Sequence, residues 1–250
     1  MPRSCRSCSS AVTSRWPATS EPIEAAVLDS TAALLASLRL QPLLVVLRPC
    51  QPLDAVPLLE RLQALDLRHV ELAFQSGPAW SEQLRELIAL FPRLALGAAS
   101  ISHQGALKAA LAAGCRYGFS PILDPELLAA AAAAGFTLVP GVMSPTEVHR
   151  ARQWGSALVK LFPAASLGPS YWRRLLDPLG PPLPFCVAAG GLKPADVNPW
   201  LAAGVDAVAL GSALLTGVTP PPPSLESGAD QLADGFDLSP LQALLAGLRV

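Results

Sequence analysis

Residues 69–113 read HVELAFQSGPAWSEQLRELIALFPRLALGAASISHQGALKAALAA, and this stretch decides the fold class. It opens on a short strand-like run, His69–Phe74. An amphipathic segment follows at Ala79–Leu90, with apolar residues at the i, i+3, i+4 spacing of one helix face. A second apolar run, Leu94–Gly97, and a second helical segment, His103–Ala113, repeat the unit. Strand and helix alternate, which is the pattern of a parallel sheet whose faces are covered by helices.

The same alternation extends outward in both directions, from about Glu24 to Ser212. Further strand-like runs are Leu43–Leu47, Tyr117–Phe119, Thr137–Val139, Ala157–Leu161, Pro184–Ala188 and Ala207–Leu210, making eight in all. Helical patterns fill the gaps at Pro52–Leu65, Pro125–Ala134, Pro145–Trp154 and Pro194–Ala202, and a further helix, Glu24–Leu38, precedes the first strand. Asp124-Pro125 and Ser144-Pro145 supply first-turn chemistry, and Gly114, Gly135, Gly155 and Gly204 follow helix ends. Eight such units predict a single (β/α)8 TIM barrel over residues 23–250. A doubly wound open sheet is the competing architecture, but no G-x-G-x-x-G follows the first strand.

Composition agrees with one globular barrel. The chain has 250 residues, of which 51% are hydrophobic and 15% charged, enough apolar material for a large core. A net charge of −1 argues against a nucleic-acid binder, and no apolar run is long enough to span a membrane. Five scattered cysteines suggest a reducing, cytoplasmic setting; the Cys5/Cys8 pair has no second ligand pair for a metal.

The ends differ from the body. Residues 1–22 read as a disordered tail, basic, Ser-rich and acid-poor over residues 1–20, which fits an organelle transit peptide or a plain leader equally. Gly217–Gly235 contains Pro220–Pro223 and reads as an extended loop, after which Asp237–Leu248 resumes a helical pattern.

In a barrel of this kind the active site lies at the C-terminal ends of the strands, so polar residues interrupting those strands are the candidates. Lys160 is one of three lysines, and unlike Lys108 and Lys193 it sits within an apolar strand, ALVKLFP. A dry interior lowers an amine's pKa, and a neutral amine can attack a ketone to form a Schiff base. A lysine that snorkels to the rim is the bland alternative. Period-2 alternation puts Glu71 inside the barrel with His69 and Ala73, where a buried carboxylate needs a partner and can serve as a general acid/base. Arg48 ends the first strand and suits a bidentate grip on a carboxylate. Gly190-Gly191 and Gly211-Ser212 end the seventh and eighth strands, where such barrels often bind phosphate. Ser100 and Ser120 end the third and fourth strands as candidate hydrogen-bonding groups. His69, His103 and His149 lack metal-ligand spacing and read as structural, and Cys50, Cys115 and Cys186 as small core or rim residues.

Val70-Glu71-Leu72, Val139-Pro140-Gly141-Val142, Val159-Lys160-Leu161-Phe162-Pro163-Ala164 and Ala189-Gly190-Gly191 follow in an order that resembles the 2-keto-3-deoxy-6-phosphogluconate (KDPG) and 4-hydroxy-2-oxoglutarate (KHG) aldolase family. Tyr117-Gly118-Phe119-Ser120-Pro121 is similar to its strand-four segment. The resemblance covers about residues 40–215. It implies a metal-independent class I aldolase without a cofactor, usually trimeric, that cleaves a 2-keto-4-hydroxy acid to pyruvate and an aldehyde. By the same resemblance Lys160 is the Schiff-base lysine and Glu71 the acid/base, while Arg48, Ser100, Pro121, Phe162, Gly190, Gly191, Gly211 and Ser212 bind substrate. Three departures stand out. Gln75 replaces an arginine common in the family, the strand-three end is Gly97-Ala98-Ala99-Ser100, and Ala189 replaces a threonine. A phosphate-binding barrel of the thiamine-phosphate synthase or isomerase kind, with Lys160 purely electrostatic, and a non-catalytic keto-acid-binding paralogue are the competing expectations.

Overall fold

The computed structural model describes residues 21–77, 79–211 and 237–248. The N-terminal tail to residue 20, the Pro-rich loop at 217–235, the Cys5/Cys8 pair and Ser212 therefore lie outside the described residues.

The strands are β1 (Leu43–Leu47), β2 (His69–Ala73), β3 (Ala95–Ala99), β4 (Tyr117–Phe119), β5 (Thr137–Val139), β6 (Gly141–Val142), β7 (Leu158–Leu161), β8 (Phe185–Ala189) and β9 (Ala207–Leu210). The helices are α1 (Glu21–Leu40), α2 (Val56–Ala64), α3 (Trp80–Leu90), α4 (Gln104–Ala113), α5 (Pro125–Ala133), α6 (Pro145–Gln153), α7 (Leu176–Leu179), α8 (Val197–Ala202) and α9 (Ser239–Gly247). All strand pairs are parallel, in the order β5-β4-β3-β2-β1-β9-β8-β7-β6. The expected TIM barrel is what the chain forms.

One strand is added to the eight. The fifth strand ends at Val139 as expected, but a further short strand, β6, follows it across Pro140. Proline has no N–H to give a neighbouring strand. Strand β5 pairs with β4, and β6 pairs with β7. The Pro140 carbonyl still accepts from the Lys160 N–H at 2.8 Å. The two ends of the hydrogen-bonded sheet are thus joined through Pro140 itself, and the barrel closes covalently at that point. Gly141 follows because a Cβ there would lie 2.5 Å from the Pro121 oxygen.

Two apolar layers hold the barrel. Outward residues of the strands, such as Val45, Leu72, Val159 and Val208, pack against Leu84, Leu107, Leu127, Val148, Val197 and Leu241 of the helices. Inward residues, among them Leu44, Val46, Phe119, Leu158, Phe185 and Val187, pack with Leu34 and Leu38 of α1. Helix α1 lies across the N-terminal end of the barrel. Its hydroxyls meet the polar groups of that floor: Ser30 and Thr31 bond Thr137, and Ser37 bonds His69 Nε2 at 2.7 Å.

Candidate active site

Strand β2 turns His69, Glu71 and Ala73 inward, as period-2 alternation requires. His69 belongs to the floor. Its Nδ1 is 3.3 Å from the Leu43 carbonyl, and burial lowers its pKa to about 4, so it is neutral and structural. Glu71 lies one layer higher, fully buried, and among the described residues neither carboxyl oxygen has a hydrogen-bond partner. An unpaired carboxylate is costly in a dry interior, and the group answers by holding its proton. Burial pushes its pKa from 4.5 up to about 8, against the downward pull of the Lys160 and Arg48 charges.

Lys160 enters the same space from β7, 6% exposed. Burial holds its ammonium below the ordinary 10.5; Glu71 opposes that shift and the Arg48 charge adds to it. Its Nζ sits 5.0 Å from the centroid of the Phe162 ring. The strand thus removes water from the amine, and the Glu71 carboxyl lies near enough to act on it electrostatically. Each partner's burial favours its neutral form.

Arg48 leaves the end of β1, exposed, with one guanidinium nitrogen donating to Ser100 Oγ at 3.1 Å. Ser100 follows β3 with a φ of 62°, a left-handed conformation uncommon for serine. Arg48, Ser100, Glu71 and Lys160 therefore belong to one constellation at the C-terminal end of the barrel.

The glycine turn after β8 is built for packing as well as for approach. Gly190 and Gly191 have φ of 97° and 78°. A Cβ on Gly190 would lie 2.9 Å from the Phe162 ring, and one on Gly191 would lie 2.9 Å from the Ala165 Cβ. The need for glycine at both positions is thus already set by φ and by the Phe162–Ala165 segment, without a phosphate. Among the described residues nothing lies within 4 Å of where a Cβ on Gly211 would stand. Pro121 is half-buried and its backbone seats Gly141, whereas the buried Ser120 accepts from the Ile122 N–H at 3.1 Å, inside its own turn. His103 caps α4, accepting from Ala106 N–H at 3.2 Å, and Cys115 and Cys186 are buried with thiol pKa values raised by burial. Among the described residues no group of three His, Cys, Asp or Glu side chains could hold a metal ion, and no helix is long and apolar enough to cross a membrane.

The family model for KDPG and KHG aldolase matches residues 34–219. The chain belongs to this aldolase family. Its relatives include 2-dehydro-3-deoxy-6-phosphogalactonate aldolase of Escherichia coli (strain K12), 29% identical over 69% of this chain and 84% of that protein. The 2-dehydro-3-deoxy-phosphogluconate aldolase of Treponema pallidum (strain Nichols) is 33% identical over 46% of this chain and 54% of its own length. Among solved structures, the Legionella pneumophila KDPG aldolase with pyruvate captured as a covalent carbinolamine superposes with a TM-score of 0.68 at 25% identity, covering 86% of this chain and 97% of that one. The chain is accordingly an aldolase, and a lyase by class.

Within this aldolase, two side chains next to the constellation have no role assigned from the sequence. The Tyr117 ring lies over Gly97, the β3 neighbour of Glu71, so close that a Cβ on Gly97 would be 2.5 Å from the ring. Its hydroxyl donates to the Ala95 carbonyl at 2.8 Å, so the ring walls Glu71 without pairing it. A glycine at an inward position of β3 was the available signal. Gln75, read from sequence only as a lost arginine, donates through its amide to the Pro49 carbonyl beside Arg48. The large surface cavity of about 650 Å3 lined by Ser37, Gln63, Arg68 and Arg93 lies at the opposite, N-terminal face and contains none of the candidate residues.

Proposed function

We propose that this aldolase works through a Schiff base on Lys160. It would cleave a 2-keto-4-hydroxy acid, KDPG and/or 4-hydroxy-2-oxoglutarate, to pyruvate and an aldehyde. The observation that carries the reading is the buried pair itself: an amine and a carboxyl whose common burial drives each toward its neutral form. A neutral Lys160 attacks the C2 ketone, and protonated Glu71 gives its proton to the departing hydroxyl, leaving an iminium and water. The carboxylate so formed takes the proton of the C4 hydroxyl as the C3–C4 bond breaks. The aldehyde leaves, and the bond's electrons pass to the iminium as an enamine. Glu71 then returns a proton to C3, and hydrolysis frees pyruvate and Lys160. Arg48, with Ser100 beside it, binds the C1 carboxylate. Phe162 and Pro121 flank the pyruvyl end, and the Gly190-Gly191 turn with Gly211-Ser212 meets the far anionic end. The carbinolamine of the Legionella relative supports the covalent step.

The test is borohydride reduction in the presence of pyruvate. We expect a stable adduct on the Lys160 peptide, whereas a Lys160 that is only electrostatic would leave none. Parallel KM values for KDPG and 4-hydroxy-2-oxoglutarate identify the preferred substrate. They are a cleaner test of the glycine turn than Gly191→Val, because the positive φ and the Ala165 contact make that change damaging for either substrate. A trimer in the cytoplasm completes the reading, and its mass in solution checks the oligomeric part.

A further inference from the structure

The Arg48 side chain is long, exposed and flexible, and a guanidinium grips a carboxylate well only where its approach is fixed. Its partner at 3.1 Å is Ser100, on the loop after β3. The backbone that carries Arg48 is held from a different direction. Pro49, the next residue, has no N–H, so its carbonyl is the one main-chain hydrogen-bonding group it offers. That carbonyl accepts from the Gln75 side-chain amide, which reaches over from the loop after β2. The residue after β2 is joined in turn to the end of β3, because the Phe74 N–H donates to the Ala99 carbonyl at 2.8 Å. The contacts form a ring: Arg48 to Ser100, Ala99 to Phe74, Gln75 to Pro49, and back along the chain to Arg48.

We infer that Gln75 is a positioning residue, a neutral clamp that sets the Arg48 guanidinium at the barrel mouth for the substrate's carboxylate. The inference rests on the aldolase reading proposed above. Gln75 acts through the Pro49 carbonyl, to which its side-chain N–H donates. Arg48 already exerts its charge on both Glu71 and Lys160, so where the guanidinium sits matters to the whole constellation. A neutral clamp orders Arg48 without placing a second cation beside it.

A double-mutant cycle on the full chain tests this. Gln75→Leu removes the donor while keeping bulk, and it is made in the wild type and in Arg48→Ala. The readouts are KM and kcat for the keto acid, the half-saturating pyruvate concentration for borohydride trapping, and the urea midpoint. In the wild type we expect KM and half-saturating pyruvate to rise about tenfold, with kcat changed less than about twofold and the urea midpoint nearly constant. In Arg48→Ala the same substitution should add less than about twofold, because the group it positions is gone. Gln75→Asn, one methylene short, should fall between Gln75→Leu and the wild type. An equal rise in both backgrounds overturns the inference, as does no rise in the wild type. A wild type that traps no pyruvate on Lys160 overturns the Schiff-base reading instead, and is recognised before any variant is compared.

Discussion

Replacing Glu71 by glutamine should separate what the buried carboxyl costs the fold from what it does in catalysis. The ordinary carboxyl titrates at 4.5, and in the folded chain burial moves this to about 8. Below pH 4.5 the group is neutral both folded and unfolded, and it costs nothing extra. Between 4.5 and about 8 the unfolded chain ionises while the folded chain does not, so folding stability falls as pH rises. The full difference corresponds to about 5 kcal/mol, since each pH unit between the two values is worth about 1.4 kcal/mol. Glutamine has nearly the same shape and no titration. Its unpaired amide adds a constant penalty but no slope. Lys160 contributes in the opposite sense: with its folded pKa lowered, stability rises with pH above that lowered value toward 10.5. The Glu71 effect is therefore measured as the difference between the wild type and Glu71→Gln, repeated in Lys160→Met to remove the counter-slope. Urea midpoints followed by circular dichroism at pH 5, 6, 7 and 8 give the curves. The advantage of Glu71→Gln over its parent should grow by roughly 2–4 kcal/mol from pH 5 to pH 8. Two curves separated by a constant offset would refute the burial argument. In the same variant kcat should fall by about 10²–10⁴, the usual worth of a general acid/base.

Lys160→Arg keeps the charge but removes a nucleophile that can lose its proton, so turnover should vanish while the circular-dichroism spectrum stays native. Residual activity above about a tenth of wild type would exclude the covalent role. Gly97→Ala should destabilise by about 1–3 kcal/mol, because the new methyl meets the Tyr117 ring; the loss should shrink in Tyr117→Leu, read from thermal midpoints.

The alternation of short apolar strands with amphipathic helices determined the barrel, because those two periods are local properties of the chain. Period 2 alone turned Glu71 inward with His69 and Ala73, and a lysine within ALVKLFP stood out because an ammonium has no ordinary place in a dry strand. The same reading had no strand at Gly141–Val142 after Pro140, since a two-residue strand is recognised only once it is known which neighbours pair on each edge. It also undervalued Gln75. The clamp joins Gln75 to Pro49, 26 residues apart, and Thr137 meets Ser30 over 107 residues. Such contacts depend on strand register and barrel closure, which no local pattern encodes. The face of each side chain was thus legible in the sequence, but its partner was decided by tertiary structure. The unpaired state of Glu71, with Tyr117 bonded to Ala95 instead, is of the second kind: it exists only because β2, β3 and β4 bring Glu71, Gly97 and Tyr117 together.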